Sequence, residues 1–348
     1  MNRTDLLVET VARLFERHSP LLGRGAATEE DLGRRIWIEV ERSDLARIGV
    51  AEAQGGSGGS FIESGAVLQA ASRFAPSIPL AESHVAAWLA AAAGVALPGG
   101  ALTVGPSRFG SIPGLEPDGK TFSAGQVVRV PFAGNAAHVV LLAELKGRPA
   151  VAVVDLASAP LDLSPDLAGQ PRATVRLEGV EARAVAPSPV GIDELMARGA
   201  LARSHQIAGA LGRVLELAVA YAGEREQFGR PINRFQVIQH HLADAAAEVA
   251  AAGLVAEAAA EVAEAGGLVE AAAIAKVRVG LASRAAAIAH QVHGAIGVTE
   301  EHPLHLLTRR IWAWRDDFGS ELEWSRRLGR TIAATGGGAL WQEVALIR

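Results

Sequence analysis

Apolar positions recur with helical spacing through the first hundred residues of the chain. Residues 5–18 carry them on one face, and residues 28–47 form a second such segment that begins with Thr28, a favourable N-cap. Further helices are predicted over residues 61–73 and 82–93. The pattern therefore predicts an N-terminal helical domain that ends at about residue 104.

The pattern changes near residue 101, where short runs of β-branched residues alternate with Gly, Pro, Asn and Asp. Runs of this kind, bounded by turn residues, predict short strands. The runs are residues 101–104, 126–131, 138–143, 150–155, 174–177 and 180–185. Because no helices lie between them, they favour a small antiparallel sheet or barrel and argue against a doubly wound α/β fold.

Long segments rich in alanine and leucine follow from about residue 190. Helices are predicted over residues 191–223, 235–265, 268–294 and 303–335. Long helices with short connections are typical of an antiparallel four-helix bundle. The predicted architecture is thus an N-terminal helical domain over residues 1–104, a short middle β domain over 105–188 and a C-terminal bundle over 189–348.

Composition and charge narrow the function classes. The 348 residues are 49% hydrophobic with a net charge of −5, which gives no electrostatic support for a nucleic-acid partner. The chain has no cysteine, so disulfides and thiolate chemistry are excluded. The most apolar stretch, residues 84–102, is interrupted by glycines and a proline, and the N-terminus does not resemble a signal peptide. We therefore expect a cytoplasmic protein that does not cross a membrane.

Residues 225–232 form the most informative motif, Arg-Glu-Gln-Phe-Gly-Arg-Pro-Ile, which is followed by Phe235 and Gln236. The guanidinium of Arg225 is a rigid fork of donors that suits a pyrophosphate, and the ring of Phe228 is flat enough for an adenine to stack on it. Two structural interpretations stand beside this one. Arg225 could form an ion pair between helices, and Phe228 could be part of a hydrophobic core.

One further segment strengthens the nucleotide interpretation, and a third, near the N-terminus, does not bear on it. Residues 291–297 read Gln-Val-His-Gly-Ala-Ile-Gly and are followed by Glu301, Pro303 and Arg309, and glycines there allow a ligand to approach the backbone closely. Near the N-terminus, Trp37 precedes a stretch with the glycine-rich run 54–60. That run has no preceding strand and no Lys-Ser or Lys-Thr end, so we interpret it as a turn between helices.

Together these three segments resemble the signatures of the acyl-CoA dehydrogenase family over nearly the whole chain. Members of that family remove a proton and a hydride from neighbouring carbons of an acyl-CoA, with FAD as hydride acceptor, and pass electrons to an electron-transfer flavoprotein. In the family, the bundle segments reach across a subunit interface to the adenine and pyrophosphate of a neighbour's FAD. The resemblance implies this role here for Arg225, Gln227, Phe228, Gln236, Gln291 and Gly294.

The residues that the same resemblance requires for the reaction are missing. The family's base is a glutamate before Gly-Thr in the last part of the bundle, and the matching position here is Phe318, before Gly319 and Ser320. Some members carry the base before an arginine on an earlier helix. Here that arginine is Arg203, a weak substrate-binding candidate, and the residue before it is Ala202. Neither side chain can accept a proton.

The expected flavin platform of the middle domain is altered as well. Residues 102–106, Leu-Thr-Val-Gly-Pro, stand where the family has Thr-Glu-Pro, and no Gly-Ser-Asp follows. Residues 129–133, Arg-Val-Pro-Phe-Ala, stand near the family's Trp-x-Thr-Asn. The chain is therefore similar to a subunit of the heterotetrameric acyl-CoA dehydrogenases of actinobacterial steroid and side-chain degradation. In those enzymes two different family members share fewer flavins than there are chains.

Two other hypotheses remain open at the level of sequence. The chain could be a self-sufficient dehydrogenase in which Asp317, next to the empty base position, serves as a displaced base. It could also be a scaffold paralogue without flavin. A metal site is not predicted, because His302 and His305 have no third ligand at a recognisable spacing.

Overall fold

The computed structural model describes residues 2–17, 19, 28–110 and 112–335. Its N-terminal part contains α1 (Arg3–Glu16), α2 (Glu29–Arg42), α3 (Phe61–Ser72) and α4 (Leu80–Ala92). The predicted N-cap is confirmed, because the Thr28 side chain accepts a hydrogen bond from the backbone N–H of Asp31 at 3.1 Å. The predicted ends of the first helix, at His18, and of the bundle, at residues 336–348, lie outside the described residues.

The middle of the chain forms two small sheets and no closed barrel within the described residues. Its strands are β1 (Leu102–Gly105), β2 (Gly114–Leu115), β3 (Phe122–Ala124), β4 (Gln126–Pro131), β5 (His138–Leu145), β6 (Arg148–Asp155), β7 (Leu161–Leu163), β8 (Arg172–Arg176) and β9 (Ala184–Pro187). One sheet has the order β3-β2-β5-β6-β9, with β1 also paired to β5, and the other has the order β4-β8-β7. Each predicted run of β-branched residues contributes a strand.

The first sheet is mixed, whereas the sequence had indicated antiparallel pairing. Strands β1 and β2 run parallel to β5, with Leu102 opposite His138 and Gly114 opposite Glu144. All other pairs in both sheets are antiparallel among the described strands. The parallel pairing follows from the chain path, because residues between β1 and β5 form β2, β3 and β4 before the chain returns beside β1.

The C-terminal part is helical, as predicted, but two of the four predicted helices are divided. Its helices are α5 (Ile192–Glu224), α6 (Gln236–Glu264), α7 (Leu268–Ala282), α8 (Arg284–His293), α9 (Leu304–Arg315) and α10 (Glu321–Thr335), and β10 (Glu226–Gln227) and β11 (Arg230–Pro231) form a small hairpin after α5. The last helix breaks because Phe318 and Gly319 have φ of +54° and +92°, which a right-handed helix cannot include.

Buried apolar side chains form a core that continues across all three parts of the chain. One cluster joins α1–α4, the inner faces of β1, β5 and β6, and the first turns of α5, with Phe318 and Trp324 at its edge. A second cluster fills the centre of the bundle, and a third lies between the two sheets. Within the described residues, no helix is both long enough and apolar enough to span a bilayer.

Helices α3 and α5 approach each other closely at one glycine. A β-carbon on Gly209 would lie only 1.9 Å from the backbone oxygen of Gln69, which is a severe steric clash. A β-carbon on Gly253 of α6, also within a helix, would have no atom nearer than 3.9 Å. Glycine is therefore required at position 209, whereas position 253 has room for a β-carbon.

We predict that Gly209→Ala lowers the free energy of unfolding by about 1–3 kcal/mol, because backbone cannot move aside as a flexible side chain can. Gly253→Ala, the matched control, should leave stability unchanged or raise it by up to about 1 kcal/mol through helix propensity. Urea unfolding of both variants measures the difference. Equal effects of the two substitutions would contradict the close approach.

Candidate functional site

The hairpin β10–β11 presents the tip of the motif over residues 225–232. Gln227 pairs with Arg230, so that Phe228 and Gly229 form a two-residue turn. Their φ angles are +54° and +77°. Two positive φ angles define a type I′ turn, in which Asn-Gly is the preferred sequence. A phenylalanine at the first position is therefore unusual.

The side chain of Phe228 gains almost nothing inside the chain. It is 92% exposed, and its only ring contact among the described residues is an edge-to-face contact with Phe235 at 6.1 Å between centroids. A left-handed conformation costs an L-residue on the order of 1–2 kcal/mol. The chain thus holds a strained aromatic residue in solvent, and the interpretation of Phe228 as core does not describe its position.

The other predicted nucleotide contacts share this exposure. Arg225, Gln227, Gln236, Gln291 and Gly294 are all exposed. Gly294 ends α8 with φ of +63°, and a β-carbon there would meet no atom within 4 Å, so its backbone is open to a ligand. All six predicted residues therefore lie on the surface of the bundle.

One aromatic contact brings the two segments of this surface together. The ring of Tyr221, one turn before Arg225 on α5, stacks on the ring of His293 at 4.5 Å between centroids and 21° between planes. His293 is the residue before Gly294, and the Tyr221 carbonyl accepts the Arg225 N–H at 2.8 Å. The end of α5 and the end of α8 are thereby held side by side.

A second region surrounds Phe318, where a base was expected. The Phe318 ring is 1% exposed and packs on Gly199 of α5. Its backbone N–H donates to the Ser107 carbonyl at 2.9 Å, and the Ser107 hydroxyl donates to the Arg129 carbonyl at 3.3 Å. Ser107, which directly follows residues 102–106, therefore links the platform segment at 129–133 to the empty base position at Phe318.

Asp317 lies beside Phe318 in a cage of arginines. Its carboxylate accepts hydrogen bonds from the two terminal nitrogens of Arg172 at 2.7 and 2.8 Å and from Nε of Arg203 at 3.1 Å. Burial alone would raise the pKa of Asp317, but Arg172 and Arg203 outweigh it and lower the pKa to about 2. A carboxylate so held is a poor proton acceptor near neutral pH.

The cage is part of a larger buried network that the sequence did not indicate. Arg203 also binds Glu82 of α4, and Arg172 binds Asp166 at 3.0 Å. Lys276 of α7 donates to the carbonyls of Trp314 and Asp317, each at 2.8 Å, and burial lowers the pKa of this lysine to about 7. The signal for this network in the sequence was the presence of single charged residues, such as Glu82 and Lys276, within otherwise apolar helices.

The network extends across the three parts of the chain. Its ion pairs join Arg172 and Arg203 to Glu82, Asp166 and Asp317, and Lys276, whose pKa is lowered to about 7, donates to carbonyls beside them. All of these side chains are at most one-tenth exposed. Arg203 is thus fully occupied by protein groups, which favours a structural role over contact with a substrate.

Comparison with known proteins decides the family. The profile of the acyl-CoA dehydrogenase C-terminal domain matches residues 192–315. Acyl-CoA dehydrogenase IpdE2 of Mycobacterium tuberculosis is 31% identical over 329 residues, which cover 93% of this chain and 95% of that protein. This chain belongs to the acyl-CoA dehydrogenase family.

Further relatives agree with that assignment. Acyl-CoA dehydrogenase IpdE2 of Mycolicibacterium smegmatis is 28% identical over 93% of this chain and 97% of its own. Among solved structures, the "Tcur3481-Tcur3483 steroid ACAD G363A variant" superposes with a TM-score of 0.85 at 25% identity, covering 95% of this chain and 98% of that one. The ChsE4-ChsE5 complex from Mycobacterium tuberculosis gives a TM-score of 0.80 at 23% identity, covering 96% and 98%, which shows the shared fold.

Acyl-CoA dehydrogenases use FAD, so the platform can be tested for its fit to that cofactor. In this chain, hydrogen bonds join Ser107 to Arg129 and to Phe318, beside the expected platform segments 102–106 and 129–133. The buried Phe318 ring packs on Gly199. The family's Thr-Glu-Pro, Gly-Ser-Asp and Trp-x-Thr-Asn are absent from these segments, so the flavin-binding groups of the family pattern are missing from this platform. Within the described ranges, no three His, Asp or Glu side chains form a group that could hold a metal ion.

We predict that Asp317→Asn lowers stability at neutral pH by about 3 kcal/mol, because Arg172 and Arg203 would lose their shared counterion. The Asp317 pKa is lowered from 3.8 to about 2 by folding, so its contribution is complete above pH 3.8 and lost as pH falls toward 2. The difference between wild type and variant should therefore shrink over that range. Chemical denaturation at several pH values measures it.

Asp162→Asn provides the control for this prediction. Asp162 also pairs with an arginine, Arg176, at 2.7 Å, but both side chains are more than half exposed. We expect a change of less than about 1 kcal/mol at every pH. An Asp317→Asn variant as stable as the control would contradict the structural role, and it would favour Asp317 as a displaced base.

Proposed function

We propose that this chain is one subunit of a hetero-oligomeric, FAD-dependent acyl-CoA dehydrogenase. It contributes the surface of its bundle to the FAD site of a catalytic partner and supplies no base of its own. The observation that carries the proposal is Phe228, an aromatic side chain held in a strained turn and 92% exposed. Strain without an internal gain is typical of a residue that serves a contact outside the chain.

The proposed surface has the chemistry that the far end of FAD requires. The Arg225 guanidinium can neutralise a pyrophosphate with paired hydrogen bonds, and the Phe228 ring can stack on an adenine. The open backbone at Gly294 allows phosphate or ribose oxygens to come close. FAD itself would supply the hydride acceptor, and the partner would supply the carboxylate base.

The interior of the chain supports the proposal that it supplies no catalytic base of its own. Phe318 and Ala202 occupy the two base positions, and both are buried with no acceptor atom. Asp317 is committed to Arg172 and Arg203. A carboxylate held by two arginines is a poor proton acceptor, which disfavours a self-sufficient enzyme with Asp317 as its displaced base.

Names of two structural relatives fit a mixed assembly, because each joins two proteins: Tcur3481-Tcur3483 and ChsE4-ChsE5. The first is described as a steroid acyl-CoA dehydrogenase. We extend this to the present chain as part of the proposal, with a heterotetramer as the assembly and a bulky acyl-CoA, such as a steroid-derived thioester, as the substrate class. Electron-transfer flavoprotein would then reoxidise the flavin in the cytoplasm.

Co-expression tests the assignment directly. The chain is purified alone and with a second acyl-CoA dehydrogenase of the same genome that has the usual glutamate and the Gly-Ser-Asp loop. We expect no stoichiometric FAD in the lone chain and a yellow complex that oxidises an acyl-CoA. A lone chain that binds FAD and turns over acyl-CoA would refute the proposal, and a colourless complex with every such partner would favour a scaffold without flavin.

We predict opposite effects of Phe228→Asn on the chain and on the complex. Asparagine tolerates the left-handed conformation, so the isolated chain should gain up to about 1 kcal/mol in unfolding free energy. The complex should lose FAD affinity roughly tenfold, since stacking on a base contributes on the order of 1–3 kcal/mol. Denaturation of the chain and flavin titration of the apo-complex give the two values.

Arg225→Ala and Arg42→Ala form a matched pair for the same complex. Both arginines are exposed, but Arg42 lies at the end of α2 and pairs only with Glu39 among the described residues. Loss of Arg225 should weaken FAD binding about tenfold or more, because a charged group would lose its partner. Arg42→Ala should leave FAD binding unchanged. Equal FAD affinities in the two variants would count against the proposed nucleotide surface.

A further inference from the structure

A cluster of histidines lies directly beneath the proposed nucleotide surface. Its members come from three elements: His290 and His293 from α8, His302 from the loop before α9, and His305 from α9. Tyr221 of α5 completes it. The rings of Tyr221, His293 and His302 contact one another: the His293 centroid lies 4.5 Å from the stacked Tyr221 ring and 4.5 Å from the tilted His302 ring, and His302 meets Tyr221 edge-on at 6.2 Å.

Hydrogen bonds fix the protonation state of the central ring. Nδ1 of His293 lies 2.7 Å from the Ala289 carbonyl, so it carries the proton and donates. Its Nε2 is buried, and no described group hydrogen-bonds to it. Nδ1 of His302 accepts the backbone N–H of Leu304 at 3.2 Å. The contacts of both rings therefore correspond to neutral imidazoles.

The groups around the cluster offer little to balance a charge on His293. Tyr221 faces it from α5 and His302 from the loop before α9, and His305 of α9 lies near His302. His290 on the same helix bonds Thr308 of α9 at 2.9 Å. On α6, which packs on α8, Glu248 is engaged by Arg278 at 2.7 Å and by Arg284 at the start of α8 at 3.9 Å. The other carboxylates of α6 and of the loop in this region, Asp244, Glu300 and Glu301, are exposed to solvent.

We propose that the cluster of the Tyr221, His293 and His302 rings is a positioning element for the proposed nucleotide surface. It fixes the end of α5, which carries Arg225, against the end of α8, which carries Gly294, and it does so in its neutral form. The inference rests on the proposed function, because the two segments act together only if they grip one nucleotide. These rings would touch no cofactor themselves, but they would position Arg225 and Gly294, which would.

The same geometry makes the element sensitive to acid. Burial lowers the pKa of His293, and burial together with the neighbouring histidines lowers that of His302. Protonation of His293 would place a charge on the unpartnered Nε2, which favours opening of the stack to water. The cluster therefore holds the ends of α5 and α8 together fully at neutral pH, and this effect declines as pH falls below the ordinary histidine pKa of 6.5.

The isolated chain offers a direct probe, because Tyr221 is its single tyrosine. Tyrosine labelled with ¹³C at ring carbon Cζ alone gives one NMR resonance, whose shift reports stacking on His293. We expect that resonance to titrate with a midpoint below pH 6.5 in the wild type. The amplitude of this titration should be much smaller in His293→Phe, which keeps a flat ring and removes the stacked ionisable group while His302 stays edge-on to Tyr221. His138→Phe, a histidine of β5 outside the cluster, should behave like the wild type.

The complex with the catalytic partner supplies the functional readout. FAD affinity is measured at about pH 8 and about pH 5.5, a range that brackets histidine titration. We expect the wild type to lose FAD affinity severalfold more over that range than His293→Phe. Tyr221→Phe should match the wild type, whereas Tyr221→Leu should weaken FAD binding roughly 5- to 10-fold already at the higher pH.

The outcomes separate this inference from the proposed function. If the complex binds FAD and Arg225→Ala weakens that binding, the proposed function holds. If Tyr221→Leu then binds as tightly as wild type, or the pH dependence is unchanged in His293→Phe, the positioning role is refuted on its own. If no complex binds FAD at either pH, both are refuted together.

Discussion

The carboxylate of Asp317 is the point on which the interior of this protein depends. It joins Arg172 of the middle domain to Arg203 of the bundle, and Arg203 in turn binds Glu82 of the N-terminal helices. Removal of one charge from a buried balanced group leaves another unpaired, which is costly. The network therefore fixes the mutual arrangement of all three parts of the chain, whatever its net contribution to stability.

This arrangement also sets the position of Phe318. With Asp317 held by two arginines and its carbonyl bonded to Lys276, the next residue turns into the core with φ of +54°. The ring then packs on Gly199, and the backbone closes on Ser107. A region that serves proton abstraction in the family is here packed around a buried network of ion pairs, so its residues stabilise the fold of this chain.

The outer surface of the bundle, in contrast to the packed interior, exposes residues that have few partners within the described chain. Phe228 is strained and exposed, Gly294 is open, and the Tyr221–His293 contact lies just below them. If stability alone determined this turn, Asn would be favoured at position 228, and an aromatic ring would be buried. The chain thus combines a closely packed interior with an exposed aromatic surface, and the proposed subunit role accounts for both.

The sequence by itself determined the three-part order, most helices and strands and the family, because apolar spacing and local motifs are short-range signals. It also identified the residues of the exposed hairpin and the two positions without a base. Only the tertiary structure decided the partners of Asp317, because Arg172 and Arg203 are 145 and 114 residues away in sequence. The break between α9 and α10, the parallel strands and the histidine cluster were equally out of reach, since each involves contacts between distant segments that residue periodicity does not encode.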